Sequence, residues 1–381
     1  MAYIIRKITN TVLNAAKYFP VIVITGPRQS GKSTFCENTF TGYAKYNLED
    51  LGLRDIVAAD PKAFIKNCGE KTIIDEVQHL PDLLSYIQLE CDADANRQFI
   101  LTGSSNFSQL ESISQSLAGR AAVFSLLPLA LDEVPEFRKS ATDEILYKGL
   151  YPSVVTGKRP AELFYPNYYT TYVERDVRQL KNISDLSTFQ IFMKMTASRV
   201  GTEFNASQIG LEIGMSSPTV RGWMSILQTS YIAFLLQPYY ANINKRLTKT
   251  PKIYFYDTGL LCFLLGIENA EQLKTHPLRG AVFENLAVLE LVKQRFNQGK
   301  ESDICFYREN AGREVDIVRC NLESMEIFEV KSSSTFSQAF LKNLKYLDEL
   351  LGSKIKKSVV VYDGETVLPT AVNIRNLTEN F

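Results

Sequence analysis

The 381-residue sequence contains few of the residues that build metal centres or disulfide frameworks. It has two histidines, and its six cysteines form no Cys-x-x-Cys pair. A structural zinc site is not expected, because such sites draw their ligands from closely spaced cysteines and histidines. Scattered cysteines of this kind are typical of reduced thiols in a protein core, which favours a cytoplasmic location.

Long apolar runs, repeats and an excess of charge of one sign are also missing. No apolar stretch approaches the ~20 residues that a membrane-spanning helix needs, so no membrane partner is expected. The 42 Lys and Arg residues balance 42 Asp and Glu residues. Any nucleic-acid surface must therefore be a local basic patch. The chain is long enough for two or three domains.

Short β-branched runs alternate with helical stretches in the first third of the chain. This alternation predicts an α/β fold in which a parallel sheet is flanked by helices. A short amphipathic helix is expected within residues 1–20. The predicted strands cover residues 21–25, 71–75, 98–103 and 121–126.

A phosphate-binding loop is predicted at residues 26–33, which read GPRQSGKS between a predicted strand and a predicted helix. The two glycines let backbone N–H groups face the phosphates. Lys32 is expected to reach the β- and γ-phosphates, and Ser33 to ligate Mg²⁺. ATP and Mg²⁺ are the expected cofactors. The expected nucleotide-binding residues are Gly26, Pro27, Arg28, Gln29, Ser30, Gly31, Lys32, Ser33 and Thr34.

Polar residues end two further predicted strands. Asp75 and Glu76 follow the apolar run of KTIID, and we expect Asp75 to hold Mg²⁺ and Glu76 to act as the general base on water. Ser104 and Ser105 follow QFILTG, and one of them is expected at the γ-phosphate or the attacking water. Helix capping is the alternative explanation for both groups.

These motifs resemble the AAA+-type ATPase domain of prokaryotic ATP-binding proteins, which carry a C-terminal domain of unknown function. Residues 21–130 cover the ATPase part, and the resemblance extends over nearly the whole chain. It implies that Arg120 meets the γ-phosphate in its own chain or in a neighbour, which makes an oligomer compatible with the sequence. A structural salt bridge is the alternative, and Arg175 is a second candidate. The shared motifs are GPRQSGKST, YNLED, IIDEVQHLP, LTGSS, SLAGR, YVERD, YFYDTGL, FEN, EVDIV and EVK.

Residues 205–227 predict a helix-turn-helix, with one helix over 206–213, a turn at Gly214 and a second helix after Ser216 or Ser217. A strand pair that follows resembles the wing of a winged helix and is expected to contact DNA phosphates. A lid or packing role is the alternative. The basic residues of the wing are Lys245, Arg246, Lys249 and Lys252.

The C-terminal third contains an Asp…Glu-x-Lys pattern. Asp316 and Glu329 are expected on paired strands, with Lys331 on the same face as Glu329. The pattern resembles PD-(D/E)XK nucleases, in which Asp316 and Glu329 would hold Mg²⁺ and Lys331 would activate water. Glu284 matches the acidic helix residue of that fold. Further phosphate contacts are expected from Tyr307 and Arg308.

The sequence thus predicts an ATPase domain over 1–130, a helical segment over 131–200, a winged-helix-like region over 201–260 and a restriction-endonuclease-like domain over 261–381. The leading functional hypothesis is ATP hydrolysis coupled to conformational change on DNA, with nuclease-like activity at the C-terminus. The alternative is a nucleotide-gated switch that binds a protein partner and has an inactive nuclease fold.

Overall fold

The computed structural model describes residues 3–103, 117–173, 186–239, 249–309, 312–321, 324–366 and 368–379. Their contacts divide the chain into two units. The first unit comprises Met1–Pro128, Thr229–Tyr231 and Phe296–Lys300; the second comprises Leu129–Gln228, Ile232–Arg295 and Glu301–Phe381. The four-part division predicted from the sequence stays a prediction.

The first unit is built on a parallel sheet with the strand order β2-β3-β4-β1-β5. The strands predicted around positions 21, 71, 98 and 121 are confirmed, whereas β2 was not predicted. The described strands are β1 (Val21–Thr25), β2 (Ala44–Asn47), β3 (Lys71–Asp75), β4 (Gln98–Thr102) and β5 (Ala121–Ser125).

Helices cover both faces of this sheet, so its central strands are buried on both sides. In β1, Val21 and Val23 pack into one apolar cluster, and Ile22 and Ile24 pack into another. Burial on two faces explains why the strand reads as a continuous apolar run rather than an alternating one. The described α-helices are α1 (Thr9–Ala15), α2 (Lys32–Thr39), α3 (Leu51–Ala59), α4 (Pro61–Asn67) and α5 (Leu83–Ala93).

The second unit begins with helices and a two-stranded ladder. The predicted helix over 206–213 is present, and Gly214 ends it in the left-handed conformation with φ 71°. Ser216 caps the next helix by accepting a hydrogen bond from the Thr219 N–H. These elements are α6 (Thr142–Lys148), α7 (Pro152–Val155), α8 (Ala161–Tyr168), α9 (Leu186–Ser198), α10 (Ala206–Ile213), α11 (Ser217–Thr229), β6 (Ala233–Leu236) and β7 (Lys252–Phe255).

A second five-stranded sheet completes this unit, with the order β12-β11-β10-β9-β8. Strands β8, β9 and β10 are antiparallel, whereas β10, β11 and β12 are parallel. The crossover between β10 and β11 contains helix α15. The remaining elements are α12 (Thr258–Leu264), α13 (Ala270–Thr275), α14 (Arg279–Asn297), β8 (Ile304–Arg308), β9 (Glu314–Cys320), β10 (Met325–Lys331), α15 (Lys342–Leu351), β11 (Ile355–Tyr362) and β12 (Ala371–Asn373).

Within the described part of the chain, we find no helix with the length and apolar character that crossing a bilayer requires.

Candidate nucleotide site and acidic cluster

The predicted phosphate loop connects β1 to α2 through two glycines in the left-handed half of backbone space. Gly26 has φ 142°, and a Cβ built on it would lie 2.2 Å from the Leu126 carbonyl oxygen. Gly31 has φ 94° and is the N-cap of α2. Both positions need glycine, because a side chain would strain the backbone or collide with it. The loop therefore turns sharply from β1 into the first turn of α2, and the N-terminus of a helix favours an anion.

Lys32 is folded into this loop. Its ammonium donates to the carbonyl oxygens of Gly26 at 3.0 Å and Pro27 at 2.9 Å. The side chain is only 5% exposed. Burial lowers its pKa to about 8, although the carboxylates of Glu76 and Asp75 act in the opposite direction. The glycine loop thus encloses a buried ammonium that is held by two of its own carbonyl oxygens.

Two further loop features fit a phosphate ligand. The Ser30 hydroxyl is fully buried and has no hydrogen-bond partner among the described residues. Buried polar groups are nearly always satisfied, so this hydroxyl suits a ligand oxygen. Ser33, the predicted Mg²⁺ ligand, is half-buried in the first turn of α2. Arg28 and Gln29 are half-buried in the loop, and Thr34 is exposed on α2.

Arg6, which lies just before α1, stabilises the phosphate loop. The sequence analysis did not predict this role. This buried guanidinium donates to the carbonyl oxygens of Ser30 at 3.2 Å and Leu127 at 2.7 Å. It therefore connects the phosphate loop to the chain that leaves β5. Only its position in an amphipathic N-terminal segment distinguished it, and that is too common a feature to identify it.

The predicted acidic pair ends β3, and β4 separates β3 from β1. Asp75 is 3% exposed and accepts a hydrogen bond from the Thr102 hydroxyl at the end of β4. The Glu76 N–H donates to the same hydroxyl oxygen at 3.3 Å. Glu76 adopts a left-handed conformation with φ 57°, and the Gln78 amide donates to its carboxylate. Thr102 and Gln78 were not predicted as site residues.

The predicted nucleotide-site residues Ser104, Ser105 and Arg175 lie outside the described part of the chain. Their expected roles stay predictions. The nearest described polar residue before Ser104 is Thr102, whose hydroxyl contacts Asp75. The strand that precedes Ser104 thus ends at the acidic pair.

Arg120 lies at the edge of the sheet opposite the phosphate loop. It directly precedes β5, which runs parallel to β1 from Ala121 beside Val21 to Ser125 beside Thr25. Five strand residues separate it from the loop edge, a span of about 16 Å. Its guanidinium forms a two-pronged pair with Asp92 at 2.6 and 2.8 Å. The expectation that Arg120 meets the γ-phosphate of its own chain is thus corrected. Arg120 lies where β5 begins, whereas the phosphate loop lies where the parallel strand β1 ends, so the two are at opposite edges of the sheet.

Asp316, Glu329 and Lys331 converge on the second sheet, as their spacing predicts. Strands β9 and β10 are antiparallel, with Phe328 opposite Ile317, so the next pair in register is Glu329 and Asp316. The Lys331 ammonium donates to Glu329 Oε1 at 2.7 Å and lies 3.8 Å from Asp316 Oδ2. Asp316 also accepts from the Val330 N–H at 2.7 Å.

Glu284 on α14 lies near these carboxylates and contacts two side chains of β7. Its Oε1 accepts from the Tyr254 hydroxyl at 2.5 Å and lies 3.3 Å from the Lys252 ammonium. Lys252 also pairs with Glu314 of β9. Glu314 was not predicted as a site residue. We call Glu284, Glu314, Asp316 and Glu329 the acidic cluster.

Two predicted phosphate contacts in this region are corrected. Lys252 is 1% exposed and paired with carboxylates, so it cannot present its charge to DNA. Tyr307 is 1% exposed and donates to Glu309. Arg308 is partly exposed and pairs with Glu314 at 3.3 Å. Lys245 and Arg246 lie outside the described residues, and Lys249 is exposed.

Burial and mutual repulsion shape the charges of the acidic cluster. Burial, followed by the charge of Asp316, raises the pKa of Glu284 to about 7 and that of Glu329 to about 7. Burial also raises the pKa of Asp316, against the effect of Lys331 and Lys252. Burial lowers the pKa of Lys331, but Asp316 and Glu329 more than offset this and raise it overall. The acidic cluster therefore contains more carboxylates than Lys252 and Lys331 can neutralise.

The region between residues 18 and 135 matches a family model described as an AAA domain. The loop, its lysine and the acidic end of β3 lie inside that match. This match, together with the parallel sheet and the glycine loop, supports a P-loop ATPase-type domain in the N-terminal third of the chain. Residues 139–271 and 279–378 match two families described as domains of unknown function, DUF8612 and DUF4143.

Relatives match most of the chain. Uncharacterized proteins of Mycobacterium bovis and Mycobacterium tuberculosis are 29% identical over 363 residues, which is 92% of this chain and 78% of each relative. A Walker-type ATPase of Pyrococcus abyssi aligns with a TM-score of 0.46 and 15% identity over 69% of this chain and 96% of that chain. A STAND (signal transduction ATPase with numerous domains) protein of Pyrococcus horikoshii with a tetratricopeptide repeat sensor aligns with a TM-score of 0.26 and 12% identity over 75% of this chain and 47% of that chain.

Proposed function

We propose that this protein binds ATP with Mg²⁺ and hydrolyses it, and that the hydrolysis drives a conformational change that acts on DNA. The observation that carries the ATP part is Lys32, whose buried ammonium is held by two carbonyls of the glycine loop. A cation stored on loop carbonyls can exchange them for phosphate oxygens at little cost in reorganisation. The orphaned Ser30 hydroxyl supports the same interpretation.

Hydrolysis is assigned to the end of β3. Ser33 and Asp75 would hold Mg²⁺, which would neutralise charge on the β- and γ-phosphates. Glu76 accepts a proton from water as the water oxygen bonds to the γ-phosphorus. The bond to the β–γ bridging oxygen breaks, which releases ADP and phosphate. Thr102 holds the Asp75 carboxylate through its hydroxyl, and Gln78 holds Glu76.

Nucleotide binding by Lys32→Ala protein tests this assignment. The expected result is loss of detectable ATP binding in a folded protein, because the remaining loop leaves the γ-phosphate charge unmatched. Lys45→Ala is the matched control, since Lys45 is outside the loop and pairs with Glu37. Binding retained by Lys32→Ala at the level of Lys45→Ala would refute the site.

DNA is the proposed partner, and the support is the exposed Lys249 at the end of a predicted basic segment. The alternative is a nucleotide-gated switch whose partner is a protein. The burial of Lys252 favours this alternative, because it removes one of the basic residues predicted to contact DNA. ATP turnover measured with duplex, single-stranded and branched DNA distinguishes the two. Stimulation by DNA supports the first proposal, and indifference to all three DNAs supports the switch.

A second candidate activity is divalent-metal-dependent cleavage of phosphodiesters at the acidic cluster. It is favoured by one observation, the convergence of Lys331 on Glu329 and Asp316. Asp316 and Glu329 would hold the metal, which supplies Lewis-acid activation of the phosphate. Lys331 would then hold a proton near the attacking water. Among the described residues, no three His, Cys, Asp or Glu side chains are arranged to hold a metal ion.

Cleavage of supercoiled DNA with Mg²⁺ tests the second candidate. Wild-type protein should nick the DNA, and Lys331→Ala should not, while both keep the same ATP turnover. Absence of nicking by the folded wild-type protein would contradict the proposed cleavage activity of the acidic cluster. That result would favour the switch.

A further inference from the structure

Lys252 enters the acidic cluster from a different part of the chain than the carboxylates it contacts. It opens strand β7, whereas its partners Glu284 and Glu314 lie on α14 and β9. Tyr254, two residues along the same strand, donates to Glu284 as well. Because side chains two residues apart share one face of a strand, β7 presents both donors to the cluster together.

Lys252 is fixed in this position. It is 1% exposed, and its ammonium lies 5.3 Å from the centre of the Phe306 ring. Burial lowers its pKa, but Glu284 and Glu314 reverse that effect and raise it overall, so the side chain stays charged. Lys331, in contrast, is about one-third exposed and reaches the cluster from its edge.

The carboxylates of the acidic cluster outnumber the cations that contact them. Its four carboxylates share Lys252 and Lys331, while Arg308 contacts Glu314 from the partly exposed side. Glu329 is 5% exposed, and its Oε2 has no hydrogen-bond partner among the described residues. Carboxylate oxygens in this state suit a cation. A divalent ion needs direct oxygen contacts at roughly 2.0–2.6 Å, so it and the ammonium cannot occupy the same carboxylates.

We propose that the Lys252 ammonium is the resident cation of the acidic cluster and competes with a divalent metal ion for Glu284 and Glu314. This inference rests on the proposed metal site at Asp316 and Glu329, extends that site to the neighbouring carboxylates of Glu284 and Glu314, and concerns its regulation. Strand β7 then closes the site when it packs on α14, and a divalent ion gains full access only when Lys252 leaves. The predicted wing thus acts on the cluster rather than on DNA through this residue.

Mn²⁺ binding to Lys252→Met protein tests the proposal. The measurement uses electron paramagnetic resonance of free Mn²⁺, without nucleotide and in an Asp75→Asn background, so that the ATP site does not contribute. Mn²⁺ should bind Lys252→Met at least about tenfold more tightly than the parent protein, because a competing charge is gone. Mn²⁺ should also raise the melting temperature of the variant more than that of the parent.

Lys293→Met is the matched control. Lys293 is 2% exposed and pairs at 2.9 Å with Glu290, its single ion-pair partner among the described residues. Its loss should not create Mn²⁺ affinity. Adding Glu329→Gln to Lys252→Met should remove the gain, which locates the ion in the acidic cluster. Lys252→Gln serves as a second variant, since its amide can still donate to Glu284.

The outcomes separate this inference from the metal site itself. Mn²⁺ binding by the parent protein that Lys252→Met and Lys252→Gln leave unchanged would overturn the competition and keep the site. No Mn²⁺ binding by the parent or by either variant would overturn both. Folding of a Lys252 variant only in the presence of Mn²⁺ would support exchange between the two cations. Failure of both variants to fold with or without Mn²⁺ would overturn it.

Discussion

The Tyr231 hydroxyl lies 2.8 Å from the Thr25 hydroxyl, directly before the phosphate loop. Tyr231 also lies 3.0 Å from the Ser125 hydroxyl. It is 2% exposed and adopts φ 54°, which is costly for a bulky residue. Since Thr25 precedes Gly26, this contact fixes the point at which β1 enters the loop.

Tyr231→Phe should weaken ATP binding several-fold while costing about 1 kcal/mol of unfolding free energy, the usual net value of a hydrogen bond. The ring keeps its packing, but Thr25 loses its 2.8 Å hydrogen bond to the Tyr231 hydroxyl and keeps only the longer contacts to Phe124 and Ser125. Isothermal titration with ATP and chemical denaturation measure the two effects. Tyr165→Phe removes a comparable buried hydroxyl that donates to the Lys148 carbonyl oxygen, and the ATP affinity of this variant should be unchanged. Equal affinities for the two variants would rule out a role for Tyr231.

Thr102→Val should lower ATP turnover about 10- to 100-fold, the typical effect of losing a group that orients a metal ligand. The variant keeps its shape but releases the Asp75 carboxylate. Steady-state turnover against Mg²⁺ concentration measures this loss. The control is Thr196→Val, a fully buried threonine that donates to its own helix. Wild-type Mg²⁺ dependence in Thr102→Val would show that Asp75 needs no such support.

Gly26→Ala should destabilise the protein more than Gly42→Ala, by at least about 1 kcal/mol. Both glycines have positive φ, but a Cβ at Gly42 meets open space whereas one at Gly26 meets the Leu126 carbonyl. The difference between the variants therefore isolates the collision. Denaturation without nucleotide measures it. Equal stabilities would mean that the loop shifts without cost.

Arg120→Ala should leave turnover at the site of its own chain within about twofold, since Arg120 pairs with Asp92 rather than with the phosphates. Asp92→Asn should behave in the same way. If turnover falls in Arg120→Ala with an unchanged melting temperature, the arginine acts on a neighbouring chain. Mixing this variant with Lys32→Ala protein would then restore activity.

Local patterns predicted the parts of the fold that local sequence controls. Strand β1, the glycine loop and the acidic end of β3 follow from a buried run, two glycines and a strand-terminal Asp-Glu. Strand β2 was missed, because Ala44 and Lys45 are exposed and leave no apolar alternation. The pairing of β9 with β10 was predictable, since a short connection favours a hairpin.

The misassigned residues depended on direction and long-range contacts. Arg120 precedes its strand, and the topology of a parallel sheet alone would have placed it opposite the loop. Lys252 looked like one of four wing cations because charge counts carry no information on burial. Its partners Glu284 and Glu314 lie 32 and 62 residues away in the chain. No spacing rule connects them.

The most direct test of the central claim is single-turnover hydrolysis of ATP by Glu76→Gln protein beside the wild type. The amide keeps the size of the side chain but cannot accept the proton of water. The ATPase assignment predicts that the variant binds ATP with Mg²⁺ as the wild type does and hydrolyses it at least about 100-fold more slowly. Hydrolysis by Glu76→Gln at the wild-type rate would contradict it.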